Sequence, residues 1–311
     1  MIQLDNKCVF SIDVEDWFHI LDVPSTPKLA DWEKLPSRVE RNFMRLLDIA
    51  DEYNVRMTCF FLGWIAQRFP QLVRTALNRG HEIASHGWAH RLAYQLTPRE
   101  FYEDAVRAKV TLEQIAGVRV LGYRCAGFSL TPGSSWVFDE LLRAGYSYDA
   151  SLFPMHRAEG GWKHGELSPH ILSRPEGTLV EFPVTVSKIL GRSLCFFGGG
   201  YLRLFPINTI LRMTDRVLSD GRPVVFYVHP REIDPEQPRL HMNLRRQFRS
   251  YVNLRTTEHK IRRILMSYEF DTIARLLADH FKFSNAQSYI DHTRIKKHHS
   301  RLPRYGRASG L

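Results

Sequence analysis

Apolar positions along the chain fall into two alternating patterns, short β-rich runs that end in charge and longer stretches with helical spacing. Residues 7–13 (KCVFSID) form the first run; over residues 36–53, Val39, Phe43, Leu46, Leu47 and Ala50 then recur as on an amphipathic helix. VRMTCFFLG (55–63) predicts a second strand, and a helical pattern through Val73 and Ala76 stops at Gly80. HEIASH (81–86) is a third short run. Residues 97–116 open with Thr-Pro-Arg-Glu, which supplies an N-cap, a proline at the first helical position and a glutamate able to close a capping box. VLGYR (120–124), a helix over 137–142, the runs YSYDA (146–150) and EFPVTV (181–186), a helix over 207–218 and the strand PVVFYVH (223–229) complete the series.

This alternation predicts parallel βα units, hence an α/β fold built as a barrel or an open sheet. No composition shift interrupts it before about residue 280, and a (β/α) barrel commonly needs about 250 residues. A single domain is therefore expected over residues 1–280, followed by a separate stretch at 281–311. Residues 155–178, rich in Gly, Pro, Ser and His, predict a long loop.

Composition narrows the classes. With 44% hydrophobic and 24% charged residues the chain reads as globular. It holds no apolar run of the roughly 18 residues needed to cross a bilayer, and its start lacks a basic flank and a small-residue cleavage site, so cytoplasmic residence is expected. Cys8, Cys59, Cys125 and Cys195 lie far apart, which predicts buried reduced thiols rather than a zinc–thiolate site. The net charge of +10 concentrates in two segments, 239–263 and 294–307. Anionic lipid, an acidic polysaccharide or nucleic acid would each complement them, and no nucleic-acid motif accompanies them. A solvated, disordered terminus accounts for the second segment without any partner.

Three polar clusters sit where apolar runs end. Asp13, Glu15 and Asp16 place three carboxylates within four residues, and a bound cation would offset their repulsion; a solvated turn would do so too. Strand alternation would put Asp13 and Glu15 on one side, whereas a turn would bring in Asp16 instead. His86 and His90 have the spacing that lets two imidazoles share one metal from one side of a helical turn, a weak signal by itself among 14 histidines. His229 ends the PVVFYVH run, and Arg124 ends VLGYR in the same way. Side chains at strand ends gather at the catalytic face of βα folds, so these clusters predict one hydrolytic metal site.

The motifs SIDVEDWFH, HEIASHGWAH and GYRCAGFSL, followed by YDASLFP, GGGYLRLFP and YVHPREIDPEQPR, resemble in order those of polysaccharide deacetylases with a NodB-homology domain. More narrowly they are similar to the branch associated with bacterial exopolysaccharide and exosortase (PEP-CTERM) gene clusters. The resemblance spans about residues 8–256. It implies a distorted (β/α) barrel and a metal-dependent hydrolase that removes N-acetyl groups from N-acetylhexosamine units. Asp13 matches the family's catalytic base, His86 and His90 its imidazole ligands, and either Glu15 or Asp16 its metal carboxylate. Arg124 matches the arginine that orients the base, and His229 the general acid. Asp149 is similar in place to an acid that tunes that histidine, and Trp162 is a candidate sugar contact. Zinc is the metal implied, with a carbohydrate polymer or lipid-linked oligosaccharide as partner and the basic tail as a contact to the inner membrane. Two positions depart from the pattern: Ala126 stands where the family has proline and Arg231 where it has tryptophan. Both read as changes in groove shape. Two alternatives remain, a same-fold hydrolase of another C–N bond and a carbohydrate-binding relative without turnover.

Overall fold

The computed structural model describes residues 2, 4, 7–21, 23–157, 160–189 and 191–280; the basic stretch at 281–311 lies outside the described residues. Its strands are β1 (Cys8–Val14), β2 (Thr58–Phe61), β3 (Glu82–Ser85), β4 (Gly122–Tyr123), β5 (Tyr148–Asp149), β6 (His170–Arg174), β7 (Gly177–Glu181), β8 (Ser187–Ile189), β9 (Arg192–Leu194) and β10 (Val224–Val228). Its helices are α1 (Val39–Glu52), α2 (Gly63–Arg68), α3 (Pro70–Asn78), α4 (Pro98–Ala116), α5 (Val137–Arg143), α6 (Gly199–Leu204), α7 (Ile207–Ser219), α8 (Leu244–Tyr251), α9 (Leu254–Ser267) and α10 (Ile273–His280).

Eight strands form one curled sheet in the order β10-β1-β2-β3-β4-β5-β7-β6, while β8 and β9 make a separate hairpin. All neighbours are parallel except β6 and β7. Among the described residues the edge strands β10 and β6 do not pair, so the barrel stays open as a single-domain half-barrel.

The central strand β1 shows why the sequence folds this way. All seven of its residues are buried, as expected for a parallel strand covered on both faces. Alternation turns Cys8, Phe10, Ile12 and Val14 into the large core beneath the helices. Val9, Ser11 and Asp13 face the inside of the curl. There Val9 joins a smaller cluster with Phe60, Val180, Val225 and the α10 residues Ile273 and Leu277, which close the lower end. The inner face thus passes from apolar to polar along the strand, and the polar end carries the site. Ile12 pairs with Val228, Phe61 with Ser85, and Ser85 with Tyr123. The residues that follow these strands therefore emerge along one rim.

Capping follows the sequence at α4, where Thr97 and Glu100 close the predicted box. All four cysteines are free and buried. One segment differs from expectation. Residues 155–178 are not one loop, because β6 folds onto β7 as an antiparallel hairpin at the sheet edge; its half-exposed, alternating side chains gave no apolar signal. The basic segment 239–263 is largely helical, and part of its charge is used internally, Arg262 pairing with Glu52 and Glu258.

Candidate active site

Asp13 lies near the C-terminal end of β1, and the Glu15 amide turns back to the Asp13 carbonyl at 2.9 Å. That turn sends three neighbouring carboxylates in different directions. Asp13 and Glu15 face the inside of the curl. Asp16 points the other way and accepts hydrogen bonds from Trp17 N, Ser37 Oγ, Arg38 N and Val39 N at the start of α1. With its lone pairs engaged there, Asp16 stands apart from the histidines.

The two imidazoles arrive from a bent loop rather than from the helical turn that their spacing suggests. His86 follows β3 directly. Gly87 takes φ +74, where any side chain is strained and a Cβ would sit 2.8 Å from Asp104 Oδ2. The Asp104 carboxylate, supplied by α4, accepts the Trp88 and Ala89 amides at 2.7 and 3.2 Å. His90 itself has φ +52, an uncommon backbone state for a side chain of this size and one often kept at functional sites. So pinned, His86 Nε2 and His90 Nε2 lie 3.0 and 2.8 Å from one atom, Glu15 Oε1.

Proton positions sharpen this geometry. His86 Nδ1 is 2.8 Å from the Arg124 carbonyl, which can only accept, so Nδ1 carries hydrogen and a neutral ring presents its Nε2 lone pair to Glu15. His90 Nε2, though close to the same oxygen, makes no hydrogen bond of acceptable geometry among the described residues. Lone pairs from two nitrogens and a carboxylate repel at these distances unless a proton or a cation lies among them. The ligand atoms of these three buried residues all lie within 4.8 Å of one another. Two imidazoles and one carboxylate suit zinc and neighbouring first-row divalent ions, so the residues fit a metal on their own chemistry. Burial alone would raise the Glu15 carboxyl, yet its closeness to the imidazoles of His90, His229 and His86 holds it well below the usual range. Burial likewise opposes charge on His86, and the Asp13 and Glu15 carboxylates overcome it.

Beside this trio, Arg124 Nη1 donates to Asp13 Oδ1 at 2.6 Å and to Ser11 Oγ at 2.9 Å. His229 follows β10; its Nε2 is 3.8 Å from Asp13 Oδ2 and 3.7 Å from Glu15 Oε1. Its Nδ1 faces Glu232 at 3.3 Å, and a carboxylate only accepts, so Nδ1 carries the proton in that contact. Burial pushes His229 down to about 4, against the pull of Glu15, so the ring rests neutral.

Asp13, Glu15, His90 and His229 line one cleft, joined there by Arg157, Arg203, Arg231 and Arg246. Asp149 and Trp162 do not line it. Asp149 is fully buried, bonded to Ser151 and Glu181 in the layer beneath Arg124. Trp162 stacks on Phe138 and packs against the main core. Glu232 is the acid at His229 Nδ1, and its place three residues on from His229 was the available signal. Nothing local in the sequence marked Arg203 or Arg246 as cleft residues, because α6 and α8 bring them in from elsewhere.

A family model for polysaccharide deacetylases matches residues 32–141, and one described as a domain of unknown function (DUF3473) matches 150–278. Peptidoglycan-N-acetylglucosamine deacetylase of Bacillus cereus is 30% identical over 73 residues, 24% of this chain and 26% of that protein. The matches span 26%, 32% and 36% of the length of three of the curated relatives. In three dimensions it is similar to a Mycobacterium smegmatis protein named provisionally as a polysaccharide deacetylase, with a TM-score of 0.59, 21% identity, and 90% and 91% of the two chains covered. It is also similar to PuuE allantoinase, with a TM-score of 0.57, 15% identity, and 88% and 89% covered. The structural likenesses concern the fold. Together, the family model and the curated relatives support the polysaccharide deacetylase family for this chain.

Proposed function

We propose that this chain is a metal-dependent N-deacetylase acting on N-acetylhexosamine units of a polysaccharide or its lipid-linked precursor in exopolysaccharide synthesis. The observation that carries this reading is the convergence of His86 Nε2 and His90 Nε2 on Glu15 Oε1, with Asp13 and His229 beside them. Glu15, His86 and His90 would hold the divalent ion, with zinc the choice by donor type and cobalt, nickel or iron compatible with the same set. When bound there, the ion supplies Lewis-acid polarisation of the amide carbonyl and makes water more acidic.

The remaining steps belong to the side chains. Arg124 occupies Asp13 Oδ1 and fixes that carboxylate, leaving Oδ2 on the cleft side to take the proton of the attacking water. His229 rests neutral, with its tautomer set by Glu232, and Nε2 can accept that proton from Asp13. Glu232 then steadies the imidazolium, which returns the proton to the amide nitrogen as the C–N bond breaks. Without that transfer the amine is too poor a leaving group.

Residues 1–280 make up the deacetylase domain in this reading, with Asp149 supporting the site from below and Trp162 shaping the loop at its side. Among the described residues no helix is long and apolar enough to cross a membrane, so contact with the inner membrane would fall to the basic stretch at 281–311. Isotope labelling tests the chemistry. In heavy-oxygen water, N-acetylglucosamine oligomers should lose acetyl mass and the released acetate should carry one labelled oxygen. Oligomers of unchanged mass would remove this substrate class.

A further inference from the structure

The cleft is more cationic than hydrolysis of a neutral amide requires. Arg231 follows the Pro230 turn two residues beyond His229, and its Nε and Nη1 are buried without a hydrogen-bond partner among the described residues. Among the described residues every nearby carboxylate is already engaged. Asp13 is held by Arg124, Glu15 is turned to the two imidazoles, and Glu232 is held by the Arg203 guanidinium. Arg203 is almost fully buried and anchored by the Arg249, Ser250 and Val252 carbonyls. Arg246 donates to the Leu21 carbonyl at 2.8 Å on the same wall. Burial and the Arg231 charge both disfavour a charged Arg203; burial disfavours charge on Arg231 too, with Glu15 pulling against it and Arg246 adding to it. A buried guanidinium with open donors is costly unless an anion meets it, and its planar fork matches carboxylate or phosphate through two parallel hydrogen bonds.

We propose that Arg231, backed by Arg203 and Arg246, recognises an oxyanion carried by the glycan, so that the cleft selects an N-acetylated saccharide bearing a carboxylate or phosphate beside the reacting unit. The inference rests on the deacetylase reading for the bond that is cut, but not for the binding itself. Uronate residues in a polymer and the phosphate of a lipid-linked precursor both supply this chemistry.

Calorimetry with the full chain separates the possibilities without turnover. The probes are a neutral N-acetylglucosamine oligomer, one of equal length alternating with glucuronate, and one carrying a phosphate at its reducing end. At least one charged probe should bind about tenfold or more tightly than the neutral one, the scale of a hydrogen bond to a charged group, and added salt should erode the difference. Arg231→Gln should bring the ratio close to one, and Arg231→Lys should keep part of it. Whichever charged probe prevails identifies the source of the oxyanion. Equal binding of all three by the wild-type chain overturns the proposal, as does a charge preference that survives in Arg231→Gln. Acetate release is scored separately: charge preference without it would sink the deacetylase reading and leave this one standing.

Discussion

Arg124 and Asp13, more than a hundred residues apart in sequence, meet at 2.6 Å with both side chains essentially excluded from solvent. Such a pair is costly to form and more costly to break, because removing one partner leaves an unpaired buried charge. Arg124→Gln should therefore lower the unfolding free energy by about 3–5 kcal/mol. Adding Asp13→Asn should recover part of that loss. Denaturant unfolding of the two variants checks it, and additive losses would mean that the pair is not coupled.

Asp13→Asn alone separates chemistry from structure. Asparagine keeps an oxygen for Arg124 Nη1 but cannot take a proton from water. Turnover should fall by about 10²–10⁴, the usual range for a general base, while metal content stays at the wild-type level. A variant of near-normal rate would remove Asp13 from that role.

Glu15 and Asp16 are adjacent, yet their surroundings predict opposite phenotypes. Glu15→Gln should reduce bound metal, as should His86→Ala, because both contribute to the same three-atom cluster. Asp16→Asn should leave metal content intact and cost about 1–2 kcal/mol of stability, since its carboxylate caps the start of α1. Elemental analysis together with thermal unfolding distinguishes them; metal loss in Asp16→Asn and not in Glu15→Gln would reverse the assignment.

His81 gives a pH signature remote from the cleft. It is 2% exposed, its Nδ1 accepts the Met57 amide at 3.1 Å, and burial pushes its pKa down from 6.5 to about 4. The unfolded chain then binds the extra proton first, so the contribution is whole above pH 6.5 and shrinks as pH falls toward 4. The span corresponds to about 3 kcal/mol. His81→Asn keeps an acceptor for Met57 and cannot titrate, so its stability should fall less steeply over that window. Identical slopes for variant and wild type would contradict the assignment.

How far the sequence exposed this molecule depends on how local each cause was. His86, Arg124 and His229 each follow an apolar run directly, and parallel strands in register carry those ends to one rim; that convergence could be read from the runs alone. The approach of the imidazoles could not. Helical spacing suggested a shared face, whereas a bent loop does the work, set by Gly87 and by Asp104 from a later helix. Nor could the choice between Glu15 and Asp16, which depends on Ser37 and Arg38 more than twenty residues downstream. Trp162 looked available in a polar, glycine-rich stretch, but Phe138 and the core take up its ring. Edge hairpins such as β6–β7 bury too little to leave a periodic trace.

Acetate released from N-acetylglucosamine oligomers by one preparation in three states tests metal-dependent deacetylation: metal-loaded, chelator-stripped and reconstituted with zinc. Acetate release that disappears on stripping and returns on reconstitution is the predicted result. Release that persists undiminished in the stripped protein, or none from protein carrying one metal per chain, would contradict it.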